Sequence, residues 1–154
     1  MLTVVMPSFH SSSLIIERIK EINNKIPIII IENSKDYYLK KTLEKNFKNV
    51  KIIIPEENLG WAKAVNIGIK ESKTDMVFIS QPDVKLIDNC IDKLSECVKN
   101  FRDFSILTPK DLNNDHFSNY EIYNTYPDVK NKNNFFLKEV DYVDLTWLIN
   151  KKNF

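Results

Sequence analysis

Five short apolar runs punctuate the chain, at Leu2–Met6, Ile26–Ile31, Val50–Ile54, Met76–Ile79 and Phe104–Leu107. They are rich in Ile and Val and mostly continuous rather than alternating, the pattern of strands buried on both faces of a parallel sheet. Between them the apolar positions spread to a helical period. Ser11, Ser12 and Ser13 offer caps ahead of Leu14, Ile15, Ile19 and Ile22. Asp36–Phe47 reads as a charged helix with few core positions. Trp61–Lys70 aligns Trp61, Ala64, Val65 and Gly68, and Ile87–Val98 aligns Ile87, Ile91, Leu94 and Val98. This alternation predicts a doubly wound, Rossmann-like α/β fold, a mostly parallel sheet flanked by helices. The polar stretch Asn113–Asn134 reads as a long loop.

Composition adds bounds. A chain of 154 residues, 43% hydrophobic and 28% charged, fits one soluble domain. A net charge of +1 carries no nucleic-acid footprint. The opening Met1–Pro7 lacks the basic and long apolar regions of a signal peptide. The longest apolar run falls far short of the roughly 20 residues that span a bilayer. The expected location is cytoplasmic, with no transmembrane segment and with peripheral association at the inner face of the membrane left open. Cys90 and Cys97 lie about 10 Å apart if helical, too far for a disulfide, and read as packing or surface thiols. His10 and His116 are too few and too distant in sequence for a metal cluster or a triad.

Chemistry-bearing residues gather where the strands end. Pro7, Pro55, Pro82 and Pro109 lie at or just beyond the apolar runs, with Glu32, Glu56, Glu57, Asp83 and Asp111. Ligands of open α/β sheets bind at the carboxyl ends of the strands. Acids also favour helix N-termini whether or not a ligand is present, so placement alone leaves both readings open. The glycines discriminate. At roughly 7% usage about 11 would be expected, yet there are 2, Gly60 and Gly68, both within Asn58–Gly68. Gly60 falls where a helix begins and where bare amides can approach an anion. Gly68, one face-repeat along beside Ala64, suits close packing of helix on sheet. Asn66 lies mid-helix, where Asn has no propensity advantage, so its side chain is expected to do something specific, such as holding the neighbouring loop by hydrogen bonds.

These residues resemble glycosyltransferase family 2, whose fold is GT-A. Val4–Phe9 resembles the opening strand and its turn beside the nucleotide, through Pro7, Ser8 and Phe9. Ile30–Ser34 resembles the second-strand motif, whose acidic residue contacts base or ribose, here Glu32 followed by Asn33. Asn58–Gly68 resembles the Asn-x-Gly…Ala-x-Asn-x-Gly stretch, through Asn58, Gly60, Trp61, Ala64, Asn66 and Gly68. Ile79–Val84 resembles the Asn-Pro-Asp-Val metal loop of rhamnosyltransferase-like members, with Gln81 in place of Asp or Asn and Asp83 as the metal ligand. The resemblance covers about the first 100 residues. It implies a domain over residues 1–154, with a nucleotide-binding part in 1–110 and an incomplete acceptor part in 111–154.

The implied activity is inverting transfer of a sugar from a nucleotide-diphosphate donor to a glycan or lipid-linked acceptor hydroxyl, in cell-surface polysaccharide or glycan synthesis. The implied cofactor is a divalent cation, Mg²⁺ or Mn²⁺, held by Asp83 against the departing diphosphate. Such a reaction needs a general base. In one register Glu139–Ile149 is the strand before the family's acidic stretch, the base lies beyond Phe154, and little turnover is expected. Trp147 and Phe154 are then candidates for exposed apolar surface. In the other register Asp141–Leu145 is that stretch and Asp144 is the base. Two other classes stand beside the enzyme: a non-catalytic nucleotide-sugar-binding module, and a nucleotidyltransferase. The latter would be expected to carry a Gly-rich basic loop after the first strand, and Pro7–Ser13 has no glycine.

Overall fold

A computed structural model describes residues 2–101, 103–109, 129–132, 135–138 and 146–153. The strands are β1 (Leu2–Ser8), β2 (Ile28–Glu32), β3 (Val50–Ile53), β4 (Met76–Ile79), β5 (Ile106–Leu107), β6 (Val129–Lys132), β7 (Phe135–Lys138) and β8 (Trp147–Asn150). The α-helices are α1 (Ser12–Glu21), α2 (Tyr37–Asn46), α3 (Gly60–Glu71) and α4 (Cys90–Asn100). The main sheet runs β3-β2-β1-β4-β8-β5. β1 to β4 are mutually parallel, and β8 is inserted antiparallel between β4 and β5. This is the α/β fold expected, a mostly parallel sheet between helices. β6 and β7 form a separate antiparallel pair, so the end of the stretch read as loop, residues 129–132, is strand.

The Ile/Val runs are buried because both faces of the sheet are covered. Alternate residues of β1, Leu2, Val4 and Met6, join Ile15, Ile19, Leu39, Leu43, Ile91 and Leu94 on the side of α1, α2 and α4. Val5, Ile29, Ile31, Val77 and Ile79 face Ala64 and Val65 of α3 on the other. Gly68 lets α3 settle on β1: a Cβ there would lie 2.2 Å from Val5 Cγ1. Leu14 and Ile87 depart from the expected faces. Both are exposed; α4 begins only at Cys90, and Cys97 rather than Val98 completes its buried stripe. Cys90 and Cys97 are free thiols. Burial pushes both thiol pKa values up, as expected of packing residues.

Arg18 is a buried charge of α1. Its guanidinium donates to Glu17 at 3.1 Å and to Glu21 at 3.0 Å. Glu21 also accepts from the Leu86 amide at 3.2 Å, tying α1 to the segment after β4.

Candidate functional site

The parallel arrangement brings the carboxyl ends of β1 to β4 to one edge. The chain turns outward from β1 in opposite directions, to β2 on one side and by crossover to β4 on the other. That is the topological switch point where α/β sheets bind ligands.

The pairing of β1 with β4 ends there for a backbone reason. Even-numbered residues of β1 bond to β2, as in Asn33 N–H donating to Ser8 O at 2.8 Å, while Ser80 N–H donates to Val5 O of β1 at 2.9 Å. With Val5 opposite Ile79, the next two rungs between β1 and β4 would use the N–H groups of residues 7 and 82. Both are proline, which has no N–H to give. The ladder ends there. Near its end, the hydroxyls of Ser8 and Ser80 are buried and without a hydrogen-bond partner among the described residues. Buried polar atoms in native folds nearly always have partners, and these two hydroxyls retain hydrogen-bonding capacity.

Three loops on this edge are laced together. Glu32, at 0% exposure, accepts from the Ser34 amide with both oxygens at 3.1 Å, from the Ser34 hydroxyl, and from the Asp36 amide at 2.7 Å. Ser34 Oγ in turn accepts from the His10 amide at 3.1 Å. Asp36 caps α2 by accepting from Leu39 N at 2.7 Å, and accepts from Ser12 Oγ of α1 at 2.7 Å. Those bonds, the Leu39 amide first and Ser12 second, hold its carboxyl below the ordinary value of 3.8. Asn33 Oδ1 accepts from Leu59 N at 3.3 Å, which draws in the loop before α3, and Asn58 Oδ1 accepts from Gly60 N at 2.9 Å. Gly60 stands at φ +70° with open space where a Cβ would be, so its glycine serves backbone conformation.

The expected site residues sort into three groups. Pro7, Ser8, Phe9, Asn33, Asn58, Gly60, Trp61, Gln81 and Asp83 do lie along this one edge, with Phe9, Asn58, Trp61 and Asp83 exposed. Ala64 is buried against the sheet one turn into α3, where it packs. Glu32, expected to touch base or ribose, is buried at the end of β2 with its carboxylate accepting from the amides of its own loop. Asn66, expected to do something specific such as holding the neighbouring loop, is exposed on α3, and among the described residues Asn33 and Asn58 hold the loop ahead of that helix. Asp141, Asp144 and Phe154 lie outside the described residues. Trp147 is half-buried against Trp61, ring centroids 5.5 Å apart, rather than bare.

Sequence reasoning missed Ser34, Asp36 and Ser80. Asp36 directly before the helical run that opens at Tyr37 is a capping signal that could have been read; nothing in the sequence announces a buried, unpartnered Ser80.

Gln81-Pro82-Asp83-Val84 forms a turn closed by Val84 N–H donating to Gln81 O at 3.1 Å. Proline suits its second position, Pro82 is buried and Asp83 points out of the turn into solvent exposure. No group of three or more His, Cys, Asp or Glu among the described residues could hold a metal ion. A lone carboxylate fits a hard cation that takes its other oxygens from phosphates and water, the usual habit of Mg²⁺.

A cavity of about 240 Å³ lies elsewhere, lined by Glu21, Leu86, Asp88 and Cys90 among others. It touches none of the edge residues above. No helix among the described residues is long and apolar enough to cross a membrane.

Comparison with known proteins places these features in a family. The model of the family described as "Glycosyl transferase family 2" matches residues 3–154. TarS from S. aureus, in complex with UDP, superposes on 97% of the chain with a TM-score of 0.69 at 18% identity. The mannosyltransferase PcManGT from Pyrobaculum calidifontis, in complex with GDP-Man and Mn²⁺, superposes on 74% with a TM-score of 0.62 at 17% identity. The chain spans 46% and 36% of those two structures. At such identities the likeness is one of fold. No curated protein matched the sequence.

Proposed function

The chain belongs to glycosyl transferase family 2, and from that premise we propose that it carries the donor half of a reaction moving a sugar from a nucleotide diphosphate to an acceptor hydroxyl. The observation that carries this reading is the end of the β1–β4 ladder at Pro7 and Pro82, with the unpartnered Ser8 and Ser80 hydroxyls beside it and Asp83 exposed just beyond. The nucleotide lies across the loops laced by Glu32, Ser34 and Asn33, and Pro7, Ser8, Phe9 and Asn33 face it. Asn58 and Gly60 shape the loop ahead of α3 near the diphosphate. Glu32 acts from within, as a positioning residue.

Asp83, with Gln81 two residues before it, is the group that would hold a divalent cation. Such a cation, Mg²⁺ or Mn²⁺, supplies neutralisation of the charge that grows on a departing diphosphate. Family membership, and neighbours of the same fold in complex with GDP-Man and Mn²⁺ or with UDP, support the reading. The acceptor is a glycan or lipid-linked hydroxyl in cell-surface polysaccharide synthesis, and the transfer inverts. Asp144 remains the candidate base.

Calorimetry tests the donor half directly. UDP, GDP and dTDP are titrated with Mg²⁺, with Mn²⁺ and with chelator. At least one is expected to bind more tightly with metal. Asp83→Ala should remove the metal dependence and leave the thermal midpoint within a few degrees. Binding that ignores both metal and this substitution would reject the role.

A further inference from the structure

Trp61 and Trp147 are the two tryptophans of the chain, and the fold sets them against each other. Trp61 is the second residue of α3. Trp147 opens β8 opposite Ile79, the last residue of β4. Their centroids are 5.5 Å apart and their planes tilted by 54°. Both stand at the carboxyl edge of the sheet on the α3 side, next to the strand that leads to Asp83.

Packing alone leaves two features unexplained. Trp61 keeps 43% of its surface exposed while Ala64, Val65 and Gly68, further along its helix, are buried. The Trp147 indole N–H is buried and finds no acceptor among the described residues. A large exposed aromatic face joined to an unmet donor is the composition of a site for a ligand that is apolar on one face and hydroxylated at its rim.

We infer that Trp61 and Trp147 form a wall for a saccharide ring, whose C–H face stacks on the exposed indole of Trp61 while the Trp147 Nε1–H donates to a sugar oxygen. The inference rests on the glycosyl-transfer reading and adds the surface that recognises the sugar. Location argues for a sugar over a nucleobase. The pair flanks β4 and its Asp83 turn, on the opposite face of the sheet from Glu32 and the start of α2. Either the donor sugar or an acceptor glycan offers the same ring chemistry.

Because the chain has no other tryptophan, its indole emission reports on this pair alone. The intact chain in Mg²⁺ is titrated with UDP and GDP, then with UDP-glucose, UDP-N-acetylglucosamine and GDP-mannose, then with free mannobiose and chitobiose, and calorimetry is run in parallel. A saccharide-bearing ligand is expected to shift the emission beyond any change from the diphosphates. Trp61→Ala should weaken that ligand about tenfold, the scale of one lost aromatic contact, and weaken the diphosphates less. Trp61→Phe should restore most of the loss, and Trp147→Phe, which keeps a ring and deletes the N–H, should weaken the same ligand several-fold.

A response to nucleotide sugars assigns the wall to the donor; a response to free disaccharides assigns it to the acceptor. The inference is overturned if Trp61→Ala leaves every saccharide ligand unaffected, or if the diphosphates alone produce the whole emission change. Diphosphate binding that persists in either case would leave the glycosyl-transfer reading standing. Failure of all diphosphates to bind would remove that reading instead, and the free disaccharides would still decide the wall.

Discussion

Both oxygens of Glu32 accept hydrogen bonds from a single loop, and Gly68 exists to let a valine through; each is a residue whose sequence signal was clear and whose office depended on its surroundings. Glu32 marks the end of β2, and its carboxylate is turned onto the amides of its own loop. Gly68 shows the same economy from the apolar side. A methyl group at 68 would meet Val5 Cγ1 at 2.2 Å, and Val5 is held in the central strand with 0% exposure. Gly68→Ala is therefore expected to destabilise the fold by about 1–3 kcal/mol through overpacking, despite the better helix propensity of alanine. Urea unfolding of Gly68→Ala, Val5→Ala and the double variant checks it. The double variant should lose less than the sum of the singles, and strict additivity would show that the clash is relieved elsewhere.

Among the elements, the two central strands show how missing donors end a ladder. Pro7 and Pro82 remove the next two rungs between β1 and β4, at the edge where the ligand is proposed to lie. Pro82→Ala returns one N–H, opposite the Pro7 carbonyl. The added hydrogen bond, worth about 1 kcal/mol, roughly offsets the lost stiffening of the unfolded chain, about 0.4–1 kcal/mol. Stability should hold within a few degrees of thermal midpoint while the ladder extends by a rung. Calorimetry should then show nucleoside diphosphate affinity several-fold lower. Unchanged affinity would mean that the end of the ladder is incidental to binding. Asp36 illustrates the complementary device, a cap that serves two elements at once: it receives Leu39 N–H from its own helix and the Ser12 hydroxyl from α1, so the first two βα loops are fixed to each other.

At the scale of the whole molecule, β8 binds the late part of the chain to the parallel part of the sheet. It lies antiparallel between β4 and β5, and its Leu148 sits in the larger core cluster at 0% exposure. Leu148→Ala should cost about 2–5 kcal/mol. Because β8 bridges β4 and β5, amide exchange in β4 and β5 is expected to accelerate more than exchange in β2 and β3. Uniform acceleration would instead mean that the sheet opens only as a unit.

The runs of Ile and Val, the helical spacing between them and the clustering of Pro, Asp and the two glycines were enough to give an α/β sheet with its chemistry at one edge. Those properties are local: a side chain's burial within its own element leaves a period in the sequence. What tertiary structure alone decided were relations between elements. Asn66 looked like a loop-holding residue because it interrupts an apolar helix, yet its direction, set by how α3 rolls onto β1, is outward. Trp61 was read as one position on a helical face; that it meets Trp147 follows from β8 entering the sheet against β4, which no spacing encodes. The prolines at 7 and 82 were each legible as punctuation. That they fall on consecutive rungs of one ladder depends on the register of β1 against β4, and register is fixed by the packing of the whole sheet between its helices, because sliding a strand by one residue would turn every buried side chain to the wrong face.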